Sequence, residues 1–217
     1  GAEALVRWQC PTRGLLLPEA FMPMAEKMGL ADKIDAYVFE QVLALQTRWH
    51  QQGRLIPKIA MNVSMARFDD PGLVAQVRAA LAPHHAITFE LLETAFWDAM
   101  TPTQTARMKA MRALGVGIDL DDFGSGHSSV SAMQAICPDR IKVDQSLVAP
   151  IIARPGQLKT LELLSQMARL EGIQVVMEGL DTQAHLTAIA PIDCDLLQGF
   201  ALARPMPQEE LEAVLPQ

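Results

Sequence analysis

Seven short runs of strand character recur along this chain with helical patterns between them, and that alternation constrains its fold more than any other feature. The runs are AEALVRW (2–8), KIAMNVS (58–64), AITFELL (86–92), GVGIDLDDF (115–123), RIKVD (140–144), IQVVMEG (173–179) and DLLQGFA (195–201). Between them apolar residues return at helical spacing, as in Ile34, Val38, Val42, Leu45 and Trp49, in Met108, Met111 and Leu114, and in Leu161, Leu164, Met167 and Ala168. Strands alternating with helices imply a mostly parallel sheet. So high a count, with no Gly-rich nucleotide fingerprint after the first strand, favours a closed α/β barrel of (β/α)8 type over an open sheet. Seven strands are one too few for such a barrel. The 217 residues, half of them apolar, suffice for one core, so residues 1–217 are read as a single domain.

Charge narrows the function. Lys and Arg number 18 against 25 Asp and Glu, a net charge of −7, so no global positive field exists to hold a nucleic-acid polymer by its phosphates. An anionic ligand must be met locally, by a metal or a few cations. Cys10, Cys137 and Cys194 are odd in number and unrelated in spacing, which speaks against a disulfide framework and a zinc site. A reducing, cytoplasmic setting is expected. No apolar run reaches the roughly 18 residues of a membrane span, and the opening carries neither a signal peptide nor an initiator Met. The chain therefore reads as a fragment of a longer protein.

Each run carries polar or charged residues at or near its C-terminal half: Glu3 and Arg7, Asn62, Glu90 and Glu93, Asp121 and Asp122, Lys142 and Asp144, Glu178, and Gln198. In a barrel these strand ends converge on one face, where such folds build their sites. Carboxylates crowded into one ring raise one another's pKa unless a cation neutralises them. Hard divalent ions, Mg²⁺ or Mn²⁺, are the natural counter-charge for carboxylate and amide oxygens.

Blander readings compete residue by residue. A lone Asp at a strand end is more often a cap or turn residue, but repetition at seven strand ends argues against that for the set. Asp119 is read as structural and turned away from Asp121. Asp122-Phe123-Gly124 matches the metal-binding tripeptide of protein kinases, yet the accompanying kinase signatures are missing. His84 and His85 precede a strand and belong to the opposite face. His50 and His185 lie in helical patterns as surface groups. The methionines, Trp8, Trp49 and Trp97 follow core spacing and are read as packing.

With these motifs in this order, Glu3-Ala4-Leu5-Val6-Arg7-Trp8, Asn62-Val63-Ser64, Glu90-Leu91-Leu92-Glu93, Asp121-Asp122-Phe123-Gly124-Ser125-Gly126, Lys142-Val143-Asp144, Glu178-Gly179 and Gln198-Gly199-Phe200, the sequence resembles the EAL domain of bacterial cyclic-di-GMP signalling from Gly1 to about Pro207. The resemblance implies a TIM-like barrel of EAL type whose first strand is antiparallel and absent from this chain, an N-terminally truncated domain. It implies hydrolysis of cyclic-di-GMP to linear pGpG with two bound ions, Mg²⁺ or Mn²⁺. Glu3, Asn62, Glu90 and Asp121 would hold one ion, and Asp121 and Asp122 the second. Lys142, Glu178 and Gln198 would complete the catalytic ring, with Glu178 as general base and Lys142 in a positioning role. Arg7 and Asp144 would contact substrate, and Glu93 would anchor the loop after Phe123. Fused sensory or GGDEF domains and a homodimer are implied partners. Two residues depart from the family pattern: Leu92 stands where Thr is common, and His127 where Tyr is common. They keep open the alternative of a receptor that binds cyclic-di-GMP without cleaving it.

Overall fold

The structure is a computed structural model describing residues 1–93, 100–125 and 130–215; Trp97 and His127 lie outside them. In chain order the elements are β1 (Ala2–Ala4), β2 (Trp8–Cys10), β3 (Gly14–Leu16), α1 (Pro18–Lys27), α2 (Ala31–Gln51), β4 (Ile59–Asn62), α3 (Met65–Phe68), α4 (Leu73–Ala80), β5 (Ile87–Leu92), α5 (Pro102–Ala113), β6 (Gly117–Phe123), α6 (Val130–Ile136), β7 (Arg140–Val143), α7 (Gln145–Val148), α8 (Pro155–Leu170), β8 (Gln174–Met177), α9 (Gln183–Ile189), β9 (Leu196–Leu197) and α10 (Gln208–Val214). All seven expected strands are present within their runs. The chain divides into two compact units, one of Gly1–Glu90, Lys109–Val116 and Gln208–Gln217, the other of Leu91–Met108 and Gly117–Pro207.

In the first unit β1 pairs in parallel with β4, and β4 with β5. Ile59, Met61, Ile87 and Phe89 are buried, and Phe39 of α2 meets Phe89 edge-on at 6.1 Å between ring centroids. The buried face of α2 is rotated from the apolar stripe the sequence offers. It comprises Ala31, Asp35, Phe39, Val42, Leu43, Gln46 and Trp49, with Ile34, Val38 and Leu45 only half-buried. The two polar members explain the rotation. Asp35 accepts the Ser64 N–H at 2.8 Å. Gln46 donates to the carbonyls of Pro57 and Ala86 and accepts the Ala86 N–H. Each satisfies backbone groups that strand ends would otherwise bury unpaired.

The hairpin β2–β3 corrects the first strand run, which ends at Ala4 rather than Trp8. Its inner residues Cys10 and Leu16 form a small core with Phe21. Trp8 packs edge-on against Phe21 but is 48% exposed, and Met24 on α1 and Met28 just after it are exposed, so these three are not core residues as their spacing implies. Trp49 is fully buried, its indole N–H donating to Glu212 of α10 at 3.0 Å.

In the second unit β6, β7, β8 and β9 form consecutive parallel pairs around Ile118, Leu120, Ile141, Val143, Val175 and Met177. Asp139 and Asp195, just before β7 and β9, accept the N–H groups of Ile118 and Val175, one strand over in each case. Asp119 is structural as expected, paired with Arg140 at 2.6 Å and almost wholly buried. It does not point away from Asp121, because residues two apart on a strand share a face; the two acids occupy successive layers.

Burial pushes the Asp35 carboxyl above its ordinary value despite the opposing hydrogen bond from Ser64. A raised folded value favours the protonated form, so this group's stabilising share is complete below the unfolded value and is lost as pH rises through the folded one. Asp35→Asn keeps an oxygen for the Ser64 N–H without the charge. Its thermal unfolding should therefore rise above that of the parent at neutral pH, and the gain should vanish below about pH 4, where Asp35 is neutral in both states.

Candidate functional site

The first unit places three oxygen-bearing side chains on adjoining strands. In the β4–β5 ladder Asn62 is the direct partner of Glu90, and in the β1–β4 ladder Glu3 is the partner of Ala60, two residues before Asn62. Partners in a parallel ladder share a face, as do residues two apart, so Glu3, Asn62 and Glu90 line one surface. Asn62 Nδ2 donates to Glu3 Oε1 at 3.3 Å, which orients the amide. Glu90 is 2% exposed, Glu3 is half-buried and Asn62 is exposed. A carboxylate removed from water beside a second one needs positive charge to stay ionised.

The second unit builds a chain of charge. Lys142 Nζ lies 3.1 Å from Asp121 Oδ1 and 2.9 Å from Glu178 Oε1. β6, β7 and the segment after β8 each supply one member. Lys142 is 3% and Asp121 8% exposed, so the ammonium and its acid are shielded from solvent and screening.

Between Asp121 and Phe123 the ladder slips. Leu120 pairs with Ile141 and Phe123 with Val143, so Asp121 and Asp122 together face the single Lys142, a β-bulge. Asp122 takes a left-handed backbone with φ of 56°, and its N–H donates to Asp121 Oδ1 at 3.0 Å. Asp tolerates that region better than most residues, and such strain concentrates at functional sites. On a regular strand consecutive side chains point to opposite faces; a bulge re-aims one of them. The buried Glu93 accepts the Gly124 N–H at 3.3 Å. Leu92 beside it is 46% exposed.

Three further expected participants make contacts of their own within the chain. Arg7 donates to the carbonyl of its own neighbour Val6 at 2.9 Å. Asp144 caps α7, its Oδ1 accepting the Ser146 N–H. Gln198 is exposed, and its backbone joins the end of β8, donating to the Met177 carbonyl and accepting from Leu180. Among the described residues no three His, Cys, Asp or Glu side chains gather at metal-ligand spacing. The first unit's set has two carboxylates and an amide, and an ammonium stands between the second unit's acids.

Sequence reasoning missed Asp181, which accepts the Phe200 N–H at 3.3 Å. An acid in a short non-periodic stretch before a helix was the available signal. It also left two motif glycines unexplained. A Cβ on Gly179 would lie 2.5 Å from the Gln145 Cβ at a φ of 70°, and one on Gly199 would lie 2.4 Å from the Leu180 backbone.

A family model described as EAL domain matches residues 1–205. The chain is 34% identical over 218 residues to the bifunctional diguanylate cyclase/cyclic di-GMP phosphodiesterase MucR of Pseudomonas aeruginosa, covering 98% of this chain and 32% of that protein. It is 32% identical over 217 residues to the cyclic di-GMP phosphodiesterase NbdA of the same species, covering 98% and 28%. Among solved structures, the PaMucR phosphodiesterase in complex with c-di-GMP superposes with a TM-score of 0.86 at 33% identity, covering 96% of this chain and 86% of that one. The chain thus spans about a third of the length of these curated relatives. The fold is α/β and TIM-barrel-like, as in the solved EAL structures it matches. Motif order, strand register and both kinds of likeness agree: the chain belongs to the EAL domain family.

Proposed function

We propose that this chain is a single phosphodiesterase domain that hydrolyses cyclic-di-GMP to linear pGpG with the help of divalent cations, working in the cytoplasm as part of a longer signalling protein with sensory or GGDEF domains. The observation that carries this reading is the Asp121–Lys142–Glu178 charge chain beside a strained Asp122, in a chain this similar to two proteins named as cyclic di-GMP phosphodiesterases. No helix among the described residues is long and apolar enough to cross a membrane.

The donor set fits hard cations. Glu3, Asn62 and Glu90 offer oxygen atoms only, the ligand type Mg²⁺ and Mn²⁺ prefer; they would help to hold one ion, and in the second unit Asp121 with Asp122 would hold another. Bound cations would supply charge neutralisation at the phosphoryl oxygens and a more acidic water. The chain's own groups do the rest. Glu178 takes the proton of the attacking water, Lys142 holds Glu178 and Asp121 in fixed relation, and Gln198 orients the water by hydrogen bonding. Arg7 releases the Val6 carbonyl and clamps a phosphate, a contact between opposite charges stronger than the bond to an uncharged carbonyl it replaces. Asp144 keeps its cap through one carboxylate oxygen and offers the other to substrate.

Incubation of the chain with cyclic-di-GMP and Mg²⁺ or Mn²⁺, followed by chromatography of the nucleotides, tests the reading. Linear pGpG should appear, and chelation of the cations should stop it. Capture of intact nucleotide without product would move the chain to the receptor class.

The roles separate kinetically. Glu178→Gln should lower kcat by about 10²–10⁴ with KM near the parental value, whereas Arg7→Ala should chiefly raise KM. If the two variants shared one pattern, the division of labour would be wrong.

Glu93→Gln gives up the carboxylate's stronger hold on the Gly124 N–H. Its rate should fall most at limiting Mg²⁺ and recover toward the parent at saturating Mg²⁺. A uniform loss at all concentrations would show that Glu93 does not act through cation occupancy.

A further inference from the structure

We propose that Arg140 is a positioning residue that places the Lys142 ammonium between Asp121 and Glu178, an inference that rests on the reading of Glu178 as the general base of a phosphodiesterase. Arg140 opens β7 two residues before Lys142, and Asp119 precedes Asp121 by the same interval on β6. Residues two apart on a strand share a face, so Asp119 and Arg140 lie beneath Asp121 and Lys142, about 7 Å along the strands. Asp119 and Arg140 are ladder partners, and Asp119 Oδ2 accepts from Arg140 Nε at 2.8 Å and lies 2.6 Å from Nη2. The Asp119 side chain is 1% exposed and that of Arg140 15%, so water does little to screen either charge. All of these groups, Glu178 included, belong to the second unit.

β6 thus offers the buried Lys142 ammonium two carboxylates in successive layers, and the flexible four-carbon stem of a lysine can turn toward either. Arg140 decides between them in two ways. It engages Asp119 with two nitrogens, so the lower carboxylate has little attraction left to offer a second cation. As a cation beneath a cation on the same strand, it also repels the ammonium toward the upper layer, where Asp121 lies at 3.1 Å and Glu178 at 2.9 Å. Stability alone does not account for such a pair, since apolar residues of similar volume usually serve a buried position as well or better. Arg140 acts on the reaction through Lys142 and from a layer below the groups assigned to substrate. It therefore governs the rate of the chemical step and not the affinity for substrate.

The test removes one charge and then both. Arg140→Gln keeps a donor for Asp119 without the cation; Lys142 should then be drawn toward Asp119, and kcat for cyclic-di-GMP should fall about tenfold or more while KM stays within about twofold. Asp119→Asn combined with Arg140→Gln withdraws the competing carboxylate as well, and should return kcat to within about threefold of the parent. The Nζ–H signal of Lys142 in the nuclear magnetic resonance spectrum of the metal-free and nucleotide-free chain, identified by its loss in Lys142→Arg, gives a reading independent of turnover. It should move in Arg140→Gln and return near its parental place in the double variant. Arg140→Met removes the same charge should Arg140→Gln not fold. A double variant as slow as Arg140→Gln would reduce the pair to a clamp between strands and overturn the proposal, as would an unchanged kcat and signal in Arg140→Gln. A parent without turnover would defeat the phosphodiesterase reading, while the Lys142 signal would still decide whether Arg140 places the ammonium.

Discussion

Lys142, clasped between Asp121 and Glu178, is the contact on which the second unit's arrangement depends. Removing an ammonium and two carboxylates from water costs several kcal/mol per ion before any attraction is counted, and well-packed apolar residues would usually serve stability as well or better. Breaking one arm of such a cluster leaves an uncompensated buried charge at about 3–5 kcal/mol. A cluster that is expensive to keep and dangerous to break marks a place where stability is subordinate to something else. Here it joins three neighbouring segments through one atom, Nζ, and so fixes the spacing of two acids that would otherwise repel each other.

The layer beneath gives that cluster its footing. Asp119 Oδ2 meets two nitrogens of Arg140, Nε at 2.8 Å and Nη2 at 2.6 Å, on the same two strands and the same face, two residues deeper. Two cross-strand pairs in successive layers hold β6 and β7 in one register, since a slip of a single residue would turn both acids away from both cations. The bulge at Asp122 can then be placed reliably, because the ladder before it is pinned.

The seven parallel strands were legible because each is a compact β-branched or aliphatic run bounded by turn residues and separated from the next by a helical repeat. The β2–β3 hairpin was not: its strands are three residues long, and Trp8-Gln9-Cys10 continues the apolar run of β1 without a breaker. On α2 the apolar stripe pointed to the wrong face because two buried positions are polar, and only the strand-end backbone they serve explains them. At the candidate site, the acids and Lys142 were legible from their recurrence at strand ends and their order along the chain. Asp122's left-handed backbone was invisible, since alternation predicts a regular strand and nothing local announces a bulge. Asp144 shows the opposite limit. The same strand-end position that suggests a ligand also makes a helix cap, and one carboxyl group can be read either way.

Gln46 carries a consequence for the sheet as a whole element of construction. Its amide gives one oxygen to the Ala86 N–H and shares its nitrogen between the carbonyls of Ala86 and Pro57. That is the donor and acceptor set of a peptide group, delivered by a helix to the entrance of β5. The first unit therefore possesses one more rung than its main chain can furnish, a prosthetic peptide borrowed from a side chain. Such a rung answers to identity and not to bulk: Glu has the same outline but no hydrogens to give, and Leu fills the space while taking from the Ala86 N–H and the Pro57 carbonyl the partner Gln46 gives them. Among the residues that α2 buries, this one is under the narrowest chemical specification and the least hydrophobic pressure.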